Sequence, residues 1–527
     1  MRFFNTAGPV NCADHYCLPP LKRFSLPEIR SLIAQKKYFV LHAPRQTGKT
    51  SCLLALMDYL NREGRYAGLY VNVEMAQAAR ENIEQGMNSI LRELASRAKI
   101  HLKDSFPESL LPSVLAGEGY GTALNQCLTQ WAFQSEKPLV ILIDEIDSLI
   151  GDLLISVLRQ IRSGYDQRPA HFPQSVVLCG VRDVRDYRIH SDREKSLVTG
   201  GSAFNIKAAS LRIGNLNREE IRRLYAVHTE DTGQTFEADT MDQVWDYTRG
   251  QPWLVNALGY EICFQLAEGI DRENSITREM MVQAKENLIR RRETHLDQLA
   301  DKLKEDRVRR VIGPVLEGSN LENINPDDID YLLDLGLIDR TETGLEIANA
   351  IYREIIPREL TTVTQYNFEP LYQPSWYVLP DGRLDTEALL QAFQAFFREN
   401  AEVWVERFDY REAGPQLLLQ AFLQRIINSG GRIEREYGLG RKRTNLMVIW
   451  PCEGGVQKIV MELKILHKSL KQTISEGLTQ LSGYIDRCGS DTGHLIIFDR
   501  RPNRRWSDKI FCRTESVDGK SVTIWGM

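Results

Sequence analysis

The residues best suited to chemistry are those of His42-Ala43-Pro44-Arg45-Gln46-Thr47-Gly48-Lys49-Thr50. They follow Tyr38-Phe39-Val40-Leu41, which reads as a buried strand, and precede Ser51 to Leu60, which has helical spacing. A loop in that setting turns its backbone N–H groups and the positive end of the next helix toward an anion. Lys49 is the side chain to reach β- and γ-phosphates, and Thr50 the hydroxyl to meet Mg²⁺. Pro44, Arg45, Gln46, Thr47, Gly48, Lys49, Thr50 and Ser51 are therefore the candidate nucleotide cradle. Ala43 stands where the usual pattern has its first glycine, while Gly48-Lys49-Thr50 keeps the polar chemistry. A second stretch, Leu139-Val140-Ile141-Leu142-Ile143-Asp144-Glu145, is an apolar strand that ends in two carboxylates. Asp144 is a candidate Mg²⁺ ligand, and Glu145 is the candidate general base that polarises an attacking water. The expected cofactors are ATP and Mg²⁺, and the expected reaction is ATP hydrolysis. The parts peculiar to a kinase or a GTPase are not visible.

Strand, loop, helix and acidic strand in this order resemble the Walker A and Walker B elements of a P-loop ATPase. The resemblance implies roles for two other places. A segment before the first strand often packs beside the adenine in such proteins, which makes Tyr16 the candidate to stack on the base, or else a half-buried residue of a surface strap. In additional-strand P-loop ATPases a polar residue senses the γ-phosphate at the end of the strand that matches Ser175 to Gly180. Arg182 and Arg185 are the candidates there, with Asp183 and Asp186 as their alternative partners.

These residues need a frame. Strands are expected at 38–41, 67–73, 139–143, 175–180 and about 203–213, alternating with helices, which implies a parallel sheet covered on both faces. A long helix is expected from about 76 to 99, followed by a polar excursion to about 120. The fold class is α/β, with a P-loop ATPase domain over 1–215 and a helical lid over 216–295. The lid pattern is broken at Thr248-Arg249-Gly250-Gln251-Pro252, a turn that could bring Arg249 or Pro252 near the nucleotide or could be a plain helix corner. Residues 296–360 read as a winged helix, with Asn325 capping a helix that starts at Pro326 and a hairpin around Thr341 to Gly344. Its recognition helix carries Asp327, Asp328, Asp330 and Asp334, which phosphate would repel, so a protein-interaction or intramolecular role is expected for it rather than DNA reading. Residues 361–385 are a turn-rich linker, and a second α/β domain runs over 386–527.

That last domain holds another constellation. Glu462 and Lys464 alternate onto one side of a strand, and Gln480 and Tyr484 are four apart on a helix and so share a face. A carboxylate and an ammonium turned to one pocket suit Mg²⁺ or Mn²⁺ beside a group that orients water. The pattern resembles the PD-(D/E)XK nuclease superfamily, in the branch with Gln-x-x-x-Tyr on the following helix, so a restriction-endonuclease-like fold and metal-dependent cutting of DNA are what it implies. The family's metal-binding aspartate falls on Asn445, in Arg443-Thr444-Asn445-Leu446. An amide binds Mg²⁺ less well than a carboxylate, so the resemblance implies either a silenced nuclease or a substitution that traps an inactive form. Glu436, or else Glu434 or Glu412, would supply an auxiliary carboxylate. Arg441, Lys442, Arg443, Lys468, Lys471, Arg500, Arg501, Arg504 and Arg505 are candidate phosphate contacts, with Trp506 a candidate to stack on a base. Taken whole, the chain resembles bacterial proteins that fuse an AAA-like, STAND-related ATPase to such a domain.

The bulk properties fit this plan. The chain has 527 residues, too many for one core, with 43% hydrophobic and 26% charged residues, as in an ordinary globular protein. The net charge is −5, but the part from residue 386 has 21 Lys and Arg against 17 Asp and Glu. The nine cysteines are scattered and make no metal-ligand spacing, so they read as reduced thiols of a cytoplasmic protein. No signal peptide is recognised at Met1-Arg2-Phe3-Phe4, and no apolar run is long enough to span a membrane. DNA is the expected partner; the oligomeric state is left open, with homo-oligomerisation on ATP binding belonging to the alternative reading of a nucleic-acid-binding or signalling ATPase that does not cut.

Overall fold

The computed structural model describes residues 2–116, 119–183, 188–191, 196–199, 204–291, 299, 301–317, 324–342, 344–357, 359, 377–407, 414–427, 432–436, 444–452, 455–466, 469–490, 492–501 and 504–527. The chain divides into two compact units, Met1–Leu288 and Ile289–Met527.

The first unit is built on strands β1 (Tyr38–His42), β2 (Ala67–Asn72), β3 (Leu139–Asp144) and β4 (Ser175–Gly180), then a small hairpin of β5 (Arg188–Ser191) and β6 (Ser196–Thr199), and β7 (Lys207–Arg212). Five of them form one sheet in the order β2-β3-β4-β1-β7, and every pairing in it is parallel. The α/β expectation is met for this unit. Strands β1 to β4 are apolar runs because both faces are covered, whereas β7, at the sheet's edge, has no buried residue. Alternation sorts their side chains: Val40, Val71, Ile141 and Leu178 face one cluster, while Leu41, Tyr70, Leu142 and Cys179 face the other. The helices Ile83–Arg97, Ala123–Gln134 and Gly151–Ser163 contribute to the first cluster, and Leu26–Ala34 and Lys49–Glu63 to the second.

Two sequence expectations change here. The helix expected from about 76 begins at Ile83, because Asn82 caps it with a bond from the Gln85 N–H (3.0 Å), and Glu74–Ala79 is a separate 3-10 turn. The polar excursion contains a helix, Phe106–Ala116, in which Pro107 sits in the first turn and Pro112 lies inside. The hairpin β5–β6 lies in a stretch to which no element is assigned from the sequence.

The helices Arg218–Thr232, Thr240–Thr248, Pro252–Phe264 and Arg278–Arg291 form the helical part of this unit. Their core includes Phe4 and Tyr16 from the N-terminal strap, both buried. Gly259 is required for this: a Cβ there would come within 2.8 Å of the Phe4 ring. The strap doubles back on itself, with Phe3 paired to His15, and Cys12 and Cys17 are joined by a disulfide. The reading of all nine cysteines as thiols is corrected at this pair, because the reversal brings two residues five apart in sequence to a Cα separation of 5.3 Å.

In the second unit the helices Asp306–Glu317 and Pro326–Leu335 are followed by a hairpin of β8 (Ile338–Thr341) and β9 (Gly344–Ile347). Asn325 caps the second helix by accepting the Asp327 N–H, as expected. The acidic residues of that helix have internal partners: Asp328 is buried beside Arg310 (3.0 Å) and Arg307 (3.4 Å), and Asp330 pairs with Arg340 (2.9 Å).

Strands β10 (Arg432–Glu436), β11 (Thr444–Cys452), β12 (Gly455–Ile465), β13 (Thr492–Phe498), β14 (Phe511–Val517) and β15 (Lys520–Gly526) form a mixed sheet in the order β10-β11-β12-β13-β15-β14. β12, β13 and β15 run parallel, and the helix Leu470–Cys488 makes the crossover from β12 to β13. A helix at Thr386–Arg407, not singled out in the sequence, precedes Gly414–Ile427. The end of the expected linker belongs to this sheet: the Gly382 carbonyl accepts the Trp450 indole N–H (2.9 Å), and Gln457 binds the Leu384 backbone from both sides. Residues 361–376 lie outside the described residues.

β13 buries His494, whose Nδ1 accepts the Trp525 indole N–H at 3.2 Å. Burial pulls the imidazole down to about 4, from an ordinary 6.5. Between those values the unfolded chain takes up a proton that the folded chain refuses, so stability is lost as pH falls through this window. Urea titrations should show about 3 kcal/mol less stability at pH 4 than at 6.5 from this residue. His494→Gln should remove most of that difference.

Candidate functional site

The parallel arrangement brings the carboxyl ends of β1, β3 and β4 to one edge. Asp144 ends β3, Asn72 lies opposite it at the end of β2, and His42 is paired with Gly180 at the ends of β1 and β4. The Ala43 N–H donates to the Gly180 carbonyl (3.3 Å), which fixes where the loop leaves β1.

The loop closes on itself. The Thr47 hydroxyl donates to the Pro44 carbonyl (2.8 Å), and the Lys49 ammonium donates to the carbonyls of Ala43 and Pro44 (3.1 Å each). Gly48 has a φ of +90° and Gln46 one of +56°. A glycine accepts the first freely, whereas a glutamine in the left-handed region costs about 1 kcal/mol and is held there by the closed loop. Arg45, Gln46 and Gly48 are exposed, so their backbone is open to a ligand, while Lys49 is buried. The helix that starts at Lys49 directs its positive end at the same place.

Asp144 has no exposed surface. Its Oδ2 accepts the Thr50 hydroxyl (2.7 Å) and the Tyr70 hydroxyl (3.1 Å), and its Oδ1 accepts the Glu145 N–H (3.0 Å). Thr50 and Asp144 thus offer adjacent oxygens of the hard kind that Mg²⁺ takes. Tyr70 was not singled out in the sequence. No local pattern marks it, because the adjacency of β2 and β3 that brings its hydroxyl to Asp144 is fixed only by the sheet order.

Glu145 has a φ of +56°, a second non-glycine residue in the left-handed region on this edge. Its carboxyl is pushed up from the ordinary glutamate range, first by burial and then by the charge of Asp147, with Lys49 opposing. Such a group is a better proton acceptor than an exposed glutamate.

Arg182 follows β4 on the same edge, is half-buried and has partners of its own. Asp183, three residues beyond β4 and buried, is paired with Lys207 of β7. Arg185 and Asp186 lie outside the described residues.

Tyr16 occupies a different role from the open stacking platform expected of it. Its ring is 1% exposed, packs edge-on against Phe4 and His228, and its hydroxyl lies 3.0 Å from His228 Nδ1. It is one wall of a cavity of about 160 Å³ that opens beside the loop at Gln46, Thr47, Gly48, Ser51 and Cys52. The other walls are the strap and Leu216, Leu224, Pro252, Trp253 and Asn256. Pro252 therefore reaches the loop's neighbourhood, and Arg249 does not: it is exposed and paired with Asp246 (3.2 Å). Gly250 is forced at this turn, since a Cβ would stand 1.8 Å from the Leu216 carbonyl. The strap joins the two sides of the cavity. The Val10 N–H donates to Ser51 Oγ (2.9 Å), and the Trp253 indole N–H donates to the Thr6 carbonyl (2.8 Å).

In the second unit Glu462 is fully buried, its Oε1 lies 2.7 Å from Lys464 Nζ, and that ammonium donates to Gln480 Oε1 at 2.5 Å. Glu462, Lys464 and Gln480 are thus brought together. Tyr484 is part of the apolar core. In backbone register Glu436 pairs with Asn445 and Asn445 with Glu462, so the three positions form one row across β10, β11 and β12. Among the described residues no group of three or more His, Cys, Asp or Glu side chains is gathered as a metal cluster. Arg501 is committed to Asp499 through two bonds (2.5 and 2.8 Å), and Trp506 packs against Phe397. Lys471, Arg500, Arg504 and Arg505 are exposed, whereas Glu412, Arg441, Lys442, Arg443 and Lys468 lie outside the described residues. Among the described residues no helix is long and apolar enough to cross a membrane.

The family described as AAA-like domain matches residues 30–357, more than half of the chain. No curated protein matches the chain. Solved structures similar to it include a Walker-type ATPase of Pyrococcus abyssi, 14% identical, covering 67% of this chain and 99% of that one at a TM-score of 0.46. Cdc6p from Pyrobaculum aerophilum is 13% identical over 65% of this chain and 95% of that one, at a TM-score of 0.36. The RuvB Holliday junction branch migration motor of Thermotoga maritima is 13% identical over 63% and 95%, at 0.32.

Tyr70→Phe removes one of the donors that orient Asp144. Titration of Mg²⁺ at fixed nucleotide should show the cation dependence weakened by about tenfold, the usual effect of losing an orienting neighbour. An unchanged Mg²⁺ midpoint would count against this role.

Proposed function

The chain belongs to the AAA-like domain family, and on that premise we propose that its first unit binds and hydrolyses ATP with Mg²⁺. The observation that carries the reading is the meeting of Lys49, Thr50, Asp144 and Glu145 on one sheet edge, with Thr50 bonded to Asp144 across 94 residues of chain. Pro44 to Ser51 cradle the phosphates. The Lys49 ammonium exchanges its bonds to the loop carbonyls for phosphate oxygens. Thr50 and Asp144 hold the cation, which when bound neutralises charge on the phosphate oxygens. Glu145 takes the proton of the attacking water, and Arg182 is the candidate to sense the γ-phosphate. The cavity walled by Tyr16, Pro252 and Trp253 takes the adenine.

The mixed-sheet part of the second unit we read as nuclease-like, and the helix–helix–hairpin that precedes it in the same unit as a winged helix that serves as a protein-interaction or intramolecular module. The favouring observation is the row of Glu436, Asn445 and Glu462 beside Lys464 and Gln480. Mg²⁺ or Mn²⁺ would be held there by Glu462 and its neighbours, and Asn445 weakens that site. A domain that holds DNA without cutting it, or an ATPase that assembles on ATP, is the alternative that Asn445 favours.

Phosphate release from ATP and a binding titration test the first reading. Lys49→Ala should lose nucleotide binding, and Glu145→Gln should keep binding while turnover falls by about a hundredfold or more. The raised Glu145 carboxyl places the acid limb of the turnover profile above the ordinary glutamate range, because the base is lost by protonation at a higher pH. Turnover in Glu145→Gln equal to the unaltered protein would remove Glu145 from the reaction. For the second reading, DNA is incubated with Mg²⁺ or Mn²⁺ and the chain or Asn445→Asp. Cutting by the aspartate form alone supports a silenced nuclease. Binding without cutting in both supports the alternative.

A further inference from the structure

Arg23 is the cavity's one Lys or Arg among its described lining residues. Its Nη2 donates to the Gly214 carbonyl at 2.6 Å, at the junction between β7 and the helices that follow. Among the described residues no carboxylate lies within ion-pair distance of it, and the side chain is half-buried. Partial burial pulls the guanidinium down from its ordinary range, with Cys52 and then Glu220 opposing. A guanidinium presents five N–H donors in a rigid fork, and one bond to a carbonyl leaves most of them for another acceptor.

The position says which acceptor. The strap residue Pro20 is seated on the loop's helix, where its carbonyl accepts the Cys52 thiol at 3.5 Å. Cys52 lies three residues beyond Lys49, in the first turn of that helix, and lines the same cavity as Arg23. Lys49 and Thr50 serve the outer phosphates, so the cavity beside Ser51 and Cys52 is on the nucleoside side of them. Resting on the ATP reading above, we propose that Arg23 is a further binding residue, which donates to the nucleoside-proximal phosphate of the bound nucleotide. Its anchor on Gly214 gives it a second consequence: the nucleotide is tied to the segment that enters the lid.

A guanidinium beside a phosphate differs from one beside a base in what its removal does to truncated ligands. Binding of ATP, ADP, AMP and adenosine is measured by calorimetry or by competition against a fluorescent ATP analogue, with the full chain. In the unaltered protein AMP should bind at least about tenfold more tightly than adenosine, the size of one charge-assisted bond. Arg23→Gln should weaken ATP, ADP and AMP by a similar factor of about tenfold and leave adenosine within about twofold, with Arg23→Lys recovering part of the loss. Equal affinities of AMP and adenosine in the unaltered protein would overturn the proposal, and that comparison needs no variant to fold. A loss in Arg23→Gln that is as large for adenosine as for AMP would also overturn it, since it would mark a base contact or a damaged cavity. If ATP itself fails to bind the unaltered protein, or binds it and Lys49→Ala alike, the ATP reading has failed instead.

Discussion

A carboxylate with no exposed surface stands at the end of a fully buried strand, and much of the first unit is arranged to make that tolerable. Burying such a group without partners would cost several kcal/mol. Asp144 is given three, from Thr50 on the loop's helix, Tyr70 on the neighbouring strand and the backbone of Glu145. These bonds tie the loop's helix, β2 and β3 together at one point. The parallel sheet is what allows it, because only parallel strands put their carboxyl ends on the same edge.

The left-handed residues on this edge follow from the same constraint. Gln46 and Glu145 sit in conformations that a side chain resists, and each is held by bonds around it rather than by its own preference. Glu145 is thereby turned at the point where the strand ends, beside a loop whose lysine is folded inward onto carbonyls. An ammonium held by two neutral carbonyls is readily passed to a stronger acceptor, which is what a polyphosphate offers.

The strap gives the loop a connection to the helices beyond β7. It touches Ser51 through Val10, Trp253 through Thr6, His228 through Tyr16 and Gly214 through Arg23. Phe4 and Tyr16 are core residues of the helical part, so the strap cannot leave without opening apolar surface. A change in the cavity is therefore felt on both sides. The second unit differs: Glu462 is buried against Lys464, whose ammonium also meets Gln480, and the acidic helix before the hairpin pairs its charges with Arg307, Arg310 and Arg340.

The sequence by itself determined the four buried strands β1 to β4, the loop and the acidic strand end, because each is a local pattern: an apolar run, a glycine before a lysine, two carboxylates at a strand's close; the edge strand β7, Lys207–Arg212, carries no such run. It determined the Asn325 cap and the pairing of Glu462 with Lys464 for the same reason, since spacing along one element is enough. Tertiary structure alone decided what comes from far apart in the chain. Tyr16 became a cavity wall because Phe4, His228 and Gly259 close around it, and no spacing near residue 16 encodes that. Tyr70 reached Asp144, Arg23 reached the cavity beside the loop, and Cys12 met Cys17 through folding of the strap or the order of strands. The helix at 106–116 was hidden by its two prolines, whose local preference is outweighed by burial of Leu110, Leu111 and Val114. Patterns with a period are legible one element at a time, whereas a partner supplied by another element is fixed only when the sheet order and the path of the strap are fixed.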